Sequence, residues 1–197
     1  MRLHERLSIT DRARKLSERI VSPFCQILAH TKVNPNILSA IGFLFAIAAC
    51  ISIALGYIVY AGCLVIMSGV FDAVDGTFAR KFGMETEFGA FFDSFLDRYS
   101  EAAILFGILY YAIIKDQQIL ILLTFIAFTG SVMVSYARAR AEGLGISCAV
   151  GPGDRAARFV IIILMLLTSR LLIGLCVLAL LSNTTALLRM YHVYVRM

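Results

Sequence analysis

The stretch that decides the fold and the chemistry of this chain is residues 72–97, which read DAVDGTFARKFGMETEFGAFFDSFLD. It contains two pairs of aspartates: Asp72 with Asp75, and Asp93 with Asp97. The spacings i, i+3 and i, i+4 place both carboxylates of a pair on one face of an α-helix. A short connection would return the second helix beside the first. The sequence therefore predicts that four carboxylates converge on one small volume.

Carboxylates gathered in this way repel one another, and removing them from water costs free energy. Cations must offset that charge, and an all-oxygen ligand set suits hard ions such as Mg²⁺ or Mn²⁺. Two such ions could hold a diphosphate and stabilise its departing oxygen. Gly76 and Gly89 leave room for a ligand because they lack side chains, and Arg80 is a bidentate phosphate donor. Aspartates neutralised only by arginines at helix ends would not need these two glycines.

Outside this stretch the chain is strongly apolar. Of its residues, 60% are hydrophobic and only 16% are charged, and the mean hydropathy is +0.85. A soluble domain of this size carries more charge, so the predicted solvent is a lipid bilayer. Six apolar runs suit membrane-spanning helices; they lie at 37–56, 58–79, 88–113, 118–141, 156–172 and 173–193. The prediction is an all-α integral membrane protein, one domain over 1–197 with a six-helix transmembrane bundle over about 37–193.

The basic residues predict how this bundle is oriented. They concentrate at the two termini and at one set of loops, whereas the opposite loops carry only Lys115 and Arg170. Cytoplasmic loops are the basic ones, so both termini and the aspartates are predicted on the cytoplasmic side of the cell membrane. Residues 8–30 mix apolar and basic side chains at helical spacing, which predicts a juxtamembrane amphipathic helix. The net charge of +5 therefore indicates topology and not nucleic-acid binding.

The pattern D-x2-D-G-x2-A-R-x8-G-x3-D-x3-D, which runs from Asp72 to Asp97, resembles the signature of the CDP-alcohol phosphotransferases. This resemblance implies six transmembrane helices, a homodimer and an active site open to the cytoplasm. It implies that all four aspartates bind two ions of Mg²⁺ or Mn²⁺, and that Asp97 is also the general base. The base would deprotonate an acceptor hydroxyl, which attacks the lipid-side phosphorus of a CDP-linked lipid while CMP leaves. Spacing alone does not distinguish Asp93 from Asp97 as the base.

The same resemblance indicates where the CDP-linked lipid binds. Residues 34–39, NPNILS, match the family's Pro-Asn-x-[Leu/Val]-[Ser/Thr] entry to its first helix. The residues that the resemblance places near the CDP-linked lipid are Asn36, Ile37, Leu38, Ser39, Gly76, Arg80 and Thr86. Considered without the resemblance, Asn36 or Ser39 could instead cap the helix, and capping explains the segment as well as ligand contact does.

A second basic cluster comes from three predicted helices. It lies in residues 135–142, SYARARAE, in residues 153–158, GDRAAR, and at Arg189. Arginines at one membrane face could form an anion pocket, although topology alone would also place them there. The arrangement resembles the branch of the family that makes phosphatidylinositol phosphate or archaetidylinositol phosphate. It implies that inositol 1-phosphate is the acceptor, and that Ser135, Arg138, Arg158 and Arg189 contact its phosphate.

Several alternatives stay open. Position 138 is Arg where bacterial members often have Lys, position 154 is Asp in place of Glu, and Arg155 could pair with Asp154 or Glu142. The lipid could be archaeol or diacylglycerol, and the short chain that ends at Met197 without a polar tail favours archaeol. An enzyme that uses glycerol 3-phosphate would also need an anion pocket. A small membrane cation transporter is disfavoured because the aspartates lie at one helix end and not near the midplane.

The assignment of Asp97 as the base gives a first testable prediction. Asp97→Asn is expected to retain CDP-lipid binding and to abolish CMP release, because loss of a general base costs about 10²- to 10⁴-fold in rate. CMP release by the purified protein measures this effect. Turnover that stays within about tenfold of the wild type would show that another group is the base.

Overall fold

The structure is a computed structural model that describes residues 34–197. These residues contain no β-strand and form six helices: α1 (Pro35–Ala54), α2 (Ile58–Phe82), α3 (Glu87–Ile114), α4 (Gln118–Glu142), α5 (Arg155–Leu167) and α6 (Leu171–Arg196). The predicted all-α fold is confirmed, and each helix coincides with one of the six apolar runs to within a few residues. The predicted helix over residues 8–30 lies outside the described residues.

The start of α1 differs from the prediction. The helix begins at Pro35, a favoured first residue because its missing N–H would have had no partner there. The Asn34 Oδ1 accepts a hydrogen bond from the Asn36 backbone N–H at 3.0 Å, so Asn34 is the cap. The alternative that Asn36 or Ser39 caps the helix is therefore wrong, because both residues lie inside its first two turns.

The helix α5 is shorter than the apolar run that predicted it. Its N-terminus is capped by Asp154, whose Oδ1 accepts a hydrogen bond from the Ala157 backbone N–H at 2.9 Å. The predicted run at 156–172 extends across three polar residues, Thr168, Ser169 and Arg170, whereas the helix ends at Leu167. Ser169 then adopts a φ of +54°, a left-handed conformation that turns the chain before α6 begins.

Four of these helices are long and apolar enough to cross a bilayer, judged by length and composition: α1, α2, α4 and α6. The N-terminal half of α3 carries several charged side chains, although the helix has 28 residues. The helix α5 has 13 residues and is about 20 Å long, shorter than the roughly 30 Å of hydrocarbon in a bilayer. The chain is therefore a multi-pass membrane protein.

The described residues fall into two compact groups. The first group comprises residues 34–44 and Met67–Asp97, and the second group comprises Phe45–Ile66 and Arg98–Met197. In the first group, the side chains of Leu38, Val74 and Phe78 form a small buried apolar cluster. This cluster packs the start of α1 against the second half of α2.

The second group has the larger apolar core. Its fully buried side chains are mainly aliphatic and include Ile53, Ile104, Ile108, Leu166 and Leu175. Within this group α6 packs along α4 and against α5. Glycines allow some of the helix backbones to approach closely, which is common in membrane bundles.

The closest such approach between α1 and α3 in the second group is at Gly107. A Cβ atom added there would lie 2.7 Å from the carbonyl oxygen of Cys50. Gly107→Ala is therefore expected to destabilise the fold by about 1–3 kcal/mol, because the backbone of Cys50 cannot rotate away. The midpoint of thermal unfolding in detergent measures this loss.

The matched control for this variant is Gly143→Ala. Gly143 has a φ of −66°, which suits any residue, and an added Cβ would lie 3.4 Å from the nearest neighbouring atom, the carbonyl oxygen of Ala139. Its unfolding midpoint should stay near that of the wild type. Equal midpoints for the two variants would contradict the close packing at Gly107.

Candidate active site

Three of the four aspartates converge in the first group. Asp72 projects from α2, and Asp93 and Asp97 project from the first half of α3. One carboxylate oxygen from each residue lies within 4.8 Å of those from the other two, and all three residues are half-buried. A set of carboxylate oxygens at this spacing fits a hard divalent cation.

The fourth aspartate, Asp75, has a different environment. It is 4% exposed, and its Oδ2 accepts a short hydrogen bond from the hydroxyl of Ser39 in α1. The negative charges of Asp72 and Asp93 also act on it. An ionised carboxylate has acceptor sites on both oxygens, so Asp75 can keep the bond to Ser39 and still contact a cation.

A pocket opens beside Asp75 and Asp93, within the first group. Its lining includes five of the residues predicted to contact the CDP-linked lipid: Asn36, Ser39, Gly76, Arg80 and Thr86. The structure does not bring Ile37 and Leu38 to this pocket. Successive residues of a helix point about 100° apart, so Leu38 is buried in the apolar cluster and Ile37 is exposed on another face.

The two glycines of the motif allow polar groups to approach the helices closely. A Cβ at Gly76 would lie 3.3 Å from Nη1 of Arg80, so the glycine lets this guanidinium lie along α2 at the pocket. A Cβ at Gly89 would lie 2.9 Å from the Thr86 hydroxyl oxygen. That oxygen accepts a hydrogen bond from the Gly89 backbone N–H at 2.9 Å and caps α3. The pocket therefore combines an arginine with a helix N-terminus, both of which suit an anionic ligand.

In the second group, Arg158 is buried and forms a bidentate ion pair. Its Nε and Nη2 donate hydrogen bonds to the two carboxylate oxygens of Glu101, each at 2.8 Å. Its Nη1 donates to the carbonyl oxygen of Gly153 at 3.0 Å. The neighbouring Arg155, which the sequence left as an alternative, is exposed.

Arg189 of α6 is also buried, and backbone carbonyl groups hold its side chain. Its Nη1 donates to the Val134 oxygen at 2.7 Å, and its Nε donates to the Val150 oxygen at 3.0 Å. The loop between α4 and α5, residues 143–154, is further joined to α6 by a 2.9 Å bond from the Gly153 N–H to the Thr185 hydroxyl. Buried arginines therefore fix this loop from two helices.

The other two residues predicted for the acceptor are less buried. Arg138 is exposed, and its Nε donates to Glu142, one turn further along α4, at 2.8 Å. Ser135 is half-buried. The positive charges of Arg138 and Arg158 both act on that of Arg189, so the structure brings the three arginines within electrostatic reach of one another.

The sequence did not indicate Glu101 as a site residue. Its carboxylate lies one turn beyond Asp97 along α3, inside the apolar run at 88–113. An ionised side chain in such a run needs a buried partner, and that requirement is the signal that could have identified it. The identity of the partner, Arg158, depends on a contact across 57 positions of sequence.

The chain is similar to known proteins of one family. Residues 32–191 match the model of the CDP-alcohol phosphatidyltransferase family. The chain is 36% identical to the archaetidylinositol phosphate synthase of Pyrococcus horikoshii, over 90% of this chain and 94% of that protein. The chain therefore belongs to the CDP-alcohol phosphatidyltransferase family, and the predicted family and enzyme class are confirmed.

Two solved structures of the phosphatidylinositol phosphate synthase of Mycobacterium tuberculosis have a similar fold. The structure with CDP-DAG bound gives a TM-score of 0.83 at 28% identity, over 89% of this chain and 94% of that chain. The structure in complex with manganese and citrate gives a TM-score of 0.82 at 27% identity, over 88% of each chain. The family is metal-dependent, and the oxygen donors of Asp72, Asp93 and Asp97 fit such an ion.

The packing of Arg80 against Gly76 gives a testable prediction. Gly76→Ala is expected to raise the KM for the CDP-linked lipid about tenfold, because the new methyl group displaces the guanidinium from the pocket. The KM for the acceptor should change little. Steady-state measurements of CMP release give both constants, and an unchanged KM for the CDP-linked lipid would contradict the role given to Gly76.

Proposed function

We propose that this enzyme transfers the lipid phosphate group of a CDP-linked lipid to inositol 1-phosphate and releases CMP. The product is archaetidylinositol phosphate or phosphatidylinositol phosphate. The observation that carries the choice of an acceptor with a phosphate group is the pair of buried arginines, Arg158 and Arg189, in the second group. Burying two guanidinium groups costs free energy, which an acceptor that carries a phosphate would help to offset.

The names of similar proteins support the same acceptor. The relative from Pyrococcus horikoshii is an archaetidylinositol phosphate synthase, and the similar solved structures are of a phosphatidylinositol phosphate synthase. The archaeal relative favours CDP-archaeol as the donor, and CDP-diacylglycerol is the alternative because CDP-DAG is bound in the similar structure. Ser135 and Arg138 are proposed to complete the phosphate-binding set with Arg158 and Arg189.

The donor is proposed to bind in the pocket of the first group. Arg80 would donate hydrogen bonds to the diphosphate, while Asn36 and Thr86 line the same pocket for the nucleotide. Ser39 holds Asp75 in place through the hydrogen bond between their side chains. Because Gly76 has no side chain, the phosphate groups can approach the backbone of α2 at this position.

We propose that Asp72, Asp75, Asp93 and Asp97 hold two divalent ions, Mg²⁺ or Mn²⁺. When bound, the ions supply positive charge that stabilises the diphosphate and the departing CMP. The manganese in the similar Mycobacterium tuberculosis structure supports this choice of ion. The carboxylates themselves supply the negative charge that makes the site selective for cations.

Asp97 is proposed to act as the general base. It takes the proton from a hydroxyl of inositol 1-phosphate, and that oxygen forms a bond to the lipid-side phosphorus. The bond from the same phosphorus to the CMP oxygen breaks, so one P–O bond replaces another and CMP leaves with the electron pair. The proton on Asp97 then passes to water. No covalent enzyme intermediate is required.

The arrangement in the membrane is part of this proposal. We propose that the chain is one domain, that α3 and the shorter α5 complete a six-helix transmembrane bundle with the four apolar helices, and that residues 8–30 lie in the headgroup layer. The basic loops support an active site and both termini on the cytoplasmic side. The family resemblance supports a homodimer.

A panel of acceptors tests the reaction. Purified enzyme receives CDP-archaeol or CDP-diacylglycerol and Mn²⁺, together with inositol 1-phosphate, glycerol 3-phosphate, serine or glycerol. CMP release is expected only with inositol 1-phosphate. Release with glycerol 3-phosphate alone would identify a synthase of the phosphatidylglycerophosphate type, and no release with any acceptor would contradict the proposal.

The role of Arg189 gives a sharper prediction. Arg189→Ala is expected to raise the KM for inositol 1-phosphate by about 10- to 100-fold, because hydrogen bonds to charged groups contribute about 1.5–3 kcal/mol. The KM for the CDP-linked lipid should change little. Arg196→Ala is the matched control because Arg196 is exposed at the end of the same helix. If Arg189→Ala raised the KM for the CDP-linked lipid as much as the KM for inositol 1-phosphate, Arg189 would have a role in folding or topology.

A further inference from the structure

We propose that Glu101 is a positioning residue for the acceptor. It fixes the guanidinium of Arg158 so that the remaining N–H donors of this arginine hold the phosphate of inositol 1-phosphate. This inference rests on the proposed function, because it requires an acceptor that carries a phosphate. Glu101 itself does not contact the substrate.

The geometry of the pair supports this role. Two parallel hydrogen bonds of 2.8 Å join the guanidinium to the carboxylate, and the bond to the Gly153 oxygen adds a third fixed point. An arginine side chain has five N–H donors, so these bonds use three and leave two. Three fixed points hold the plane of the guanidinium in one orientation. A phosphate then meets donors that are already oriented, which lowers the entropic cost of binding.

The burial of the pair shows why an uncharged side chain cannot replace Glu101. The side chain of Arg158 is 3% exposed and that of Glu101 is 15% exposed. A guanidinium at this depth needs a compensating charge, because water does not reach it freely. Gln at position 101 would keep the shape of the side chain, but it would remove the charge and replace one acceptor oxygen with a donor nitrogen.

The ion pair between Arg138 and Glu142 provides the contrast. Both of these side chains are about half exposed, at 53% and 49%, and a single hydrogen bond joins them along one helix. Exposed pairs of this kind contribute little to the order of either side chain. Glu142→Gln therefore removes an arginine partner without removing a buried charge, which makes it the matched control.

Positioning and simple electrostatics predict opposite results for Glu101→Gln. A negative charge near an anionic acceptor weakens its binding, so removing that charge without any loss of order would lower the KM for inositol 1-phosphate. If Glu101 acts by orienting Arg158, the same change raises that KM, by about tenfold or more. Whether Glu101 acts by positioning or by electrostatics, the KM of Glu101→Gln for the CDP-linked lipid should stay within about twofold of the wild-type value.

The experiment measures both KM values for the full-length enzyme in detergent with Mn²⁺. The expected result is a raised KM for inositol 1-phosphate in Glu101→Gln and an almost unchanged value in Glu142→Gln. An unchanged or lowered KM in Glu101→Gln would overturn the inference. Equal increases in Glu101→Gln and Glu142→Gln would also overturn it, because burial would then not matter.

A double-mutant cycle separates positioning from a purely structural effect. Lys at position 158 cannot form the bidentate pair, so Glu101→Gln should add no further increase in KM to Arg158→Lys. Additive effects would show that Glu101 acts independently of Arg158, and they would overturn the inference. Glu101→Asp keeps both the charge and the two oxygens, and it is expected to have a KM between those of the wild type and Glu101→Gln.

Removing one member of a buried pair can also prevent folding. If Glu101→Gln does not yield folded protein, the same measurement on Glu101→Asp decides: a raised KM for inositol 1-phosphate supports the inference, and a wild-type KM overturns it. Turnover of the wild type with inositol 1-phosphate is measured first. Its absence would remove the proposed function, whereas turnover with an unaffected variant would remove only the role of Glu101.

Discussion

The cost of keeping charged side chains inside an apolar helix bundle is the constraint on which this structure depends. In the first group, Asp72, Asp93 and Asp97 place carboxylate oxygens within 4.8 Å of one another, and Asp75 is tied to Ser39. Such a cluster is stable when cations occupy it, and a bound cation attracts a diphosphate. The same charges that are costly to bury therefore create the site for the substrate.

The second group meets the same constraint in a different way. Glu101 and backbone carbonyl groups compensate the buried charges of Arg158 and Arg189. These bonds do not use all five N–H donors of either guanidinium group: Arg158 makes three of them and Arg189 makes two. The loop over residues 143–154 gains its order from these arginines. An anionic substrate can bind donors that are already held in one orientation without a large entropic cost.

The sequence predicted the features that depend on local periodicity. Apolar runs located all six helices, and the spacing of the aspartates located the acidic cluster. The predicted end of α5 was five residues too late, because the apolar run was extended across the polar residues Thr168, Ser169 and Arg170, where the chain turns. The sequence motif wrongly placed Ile37 and Leu38 among the residues that line the pocket, because a motif match does not show which face of the helix each residue occupies. Glu101 was missed because its partner lies 57 positions away.

The proposed reaction depends on the binding of a divalent metal ion by the aspartate cluster. Electron paramagnetic resonance of Mn²⁺ titrated into the metal-free, detergent-purified enzyme tests it most directly, with CMP release followed in the same samples. We expect that Mn²⁺ binds, that Asp93→Asn weakens this binding, and that CMP release appears only as the site fills. Undiminished CMP release in the metal-free enzyme, or unaltered Mn²⁺ binding in Asp93→Asn, would contradict it.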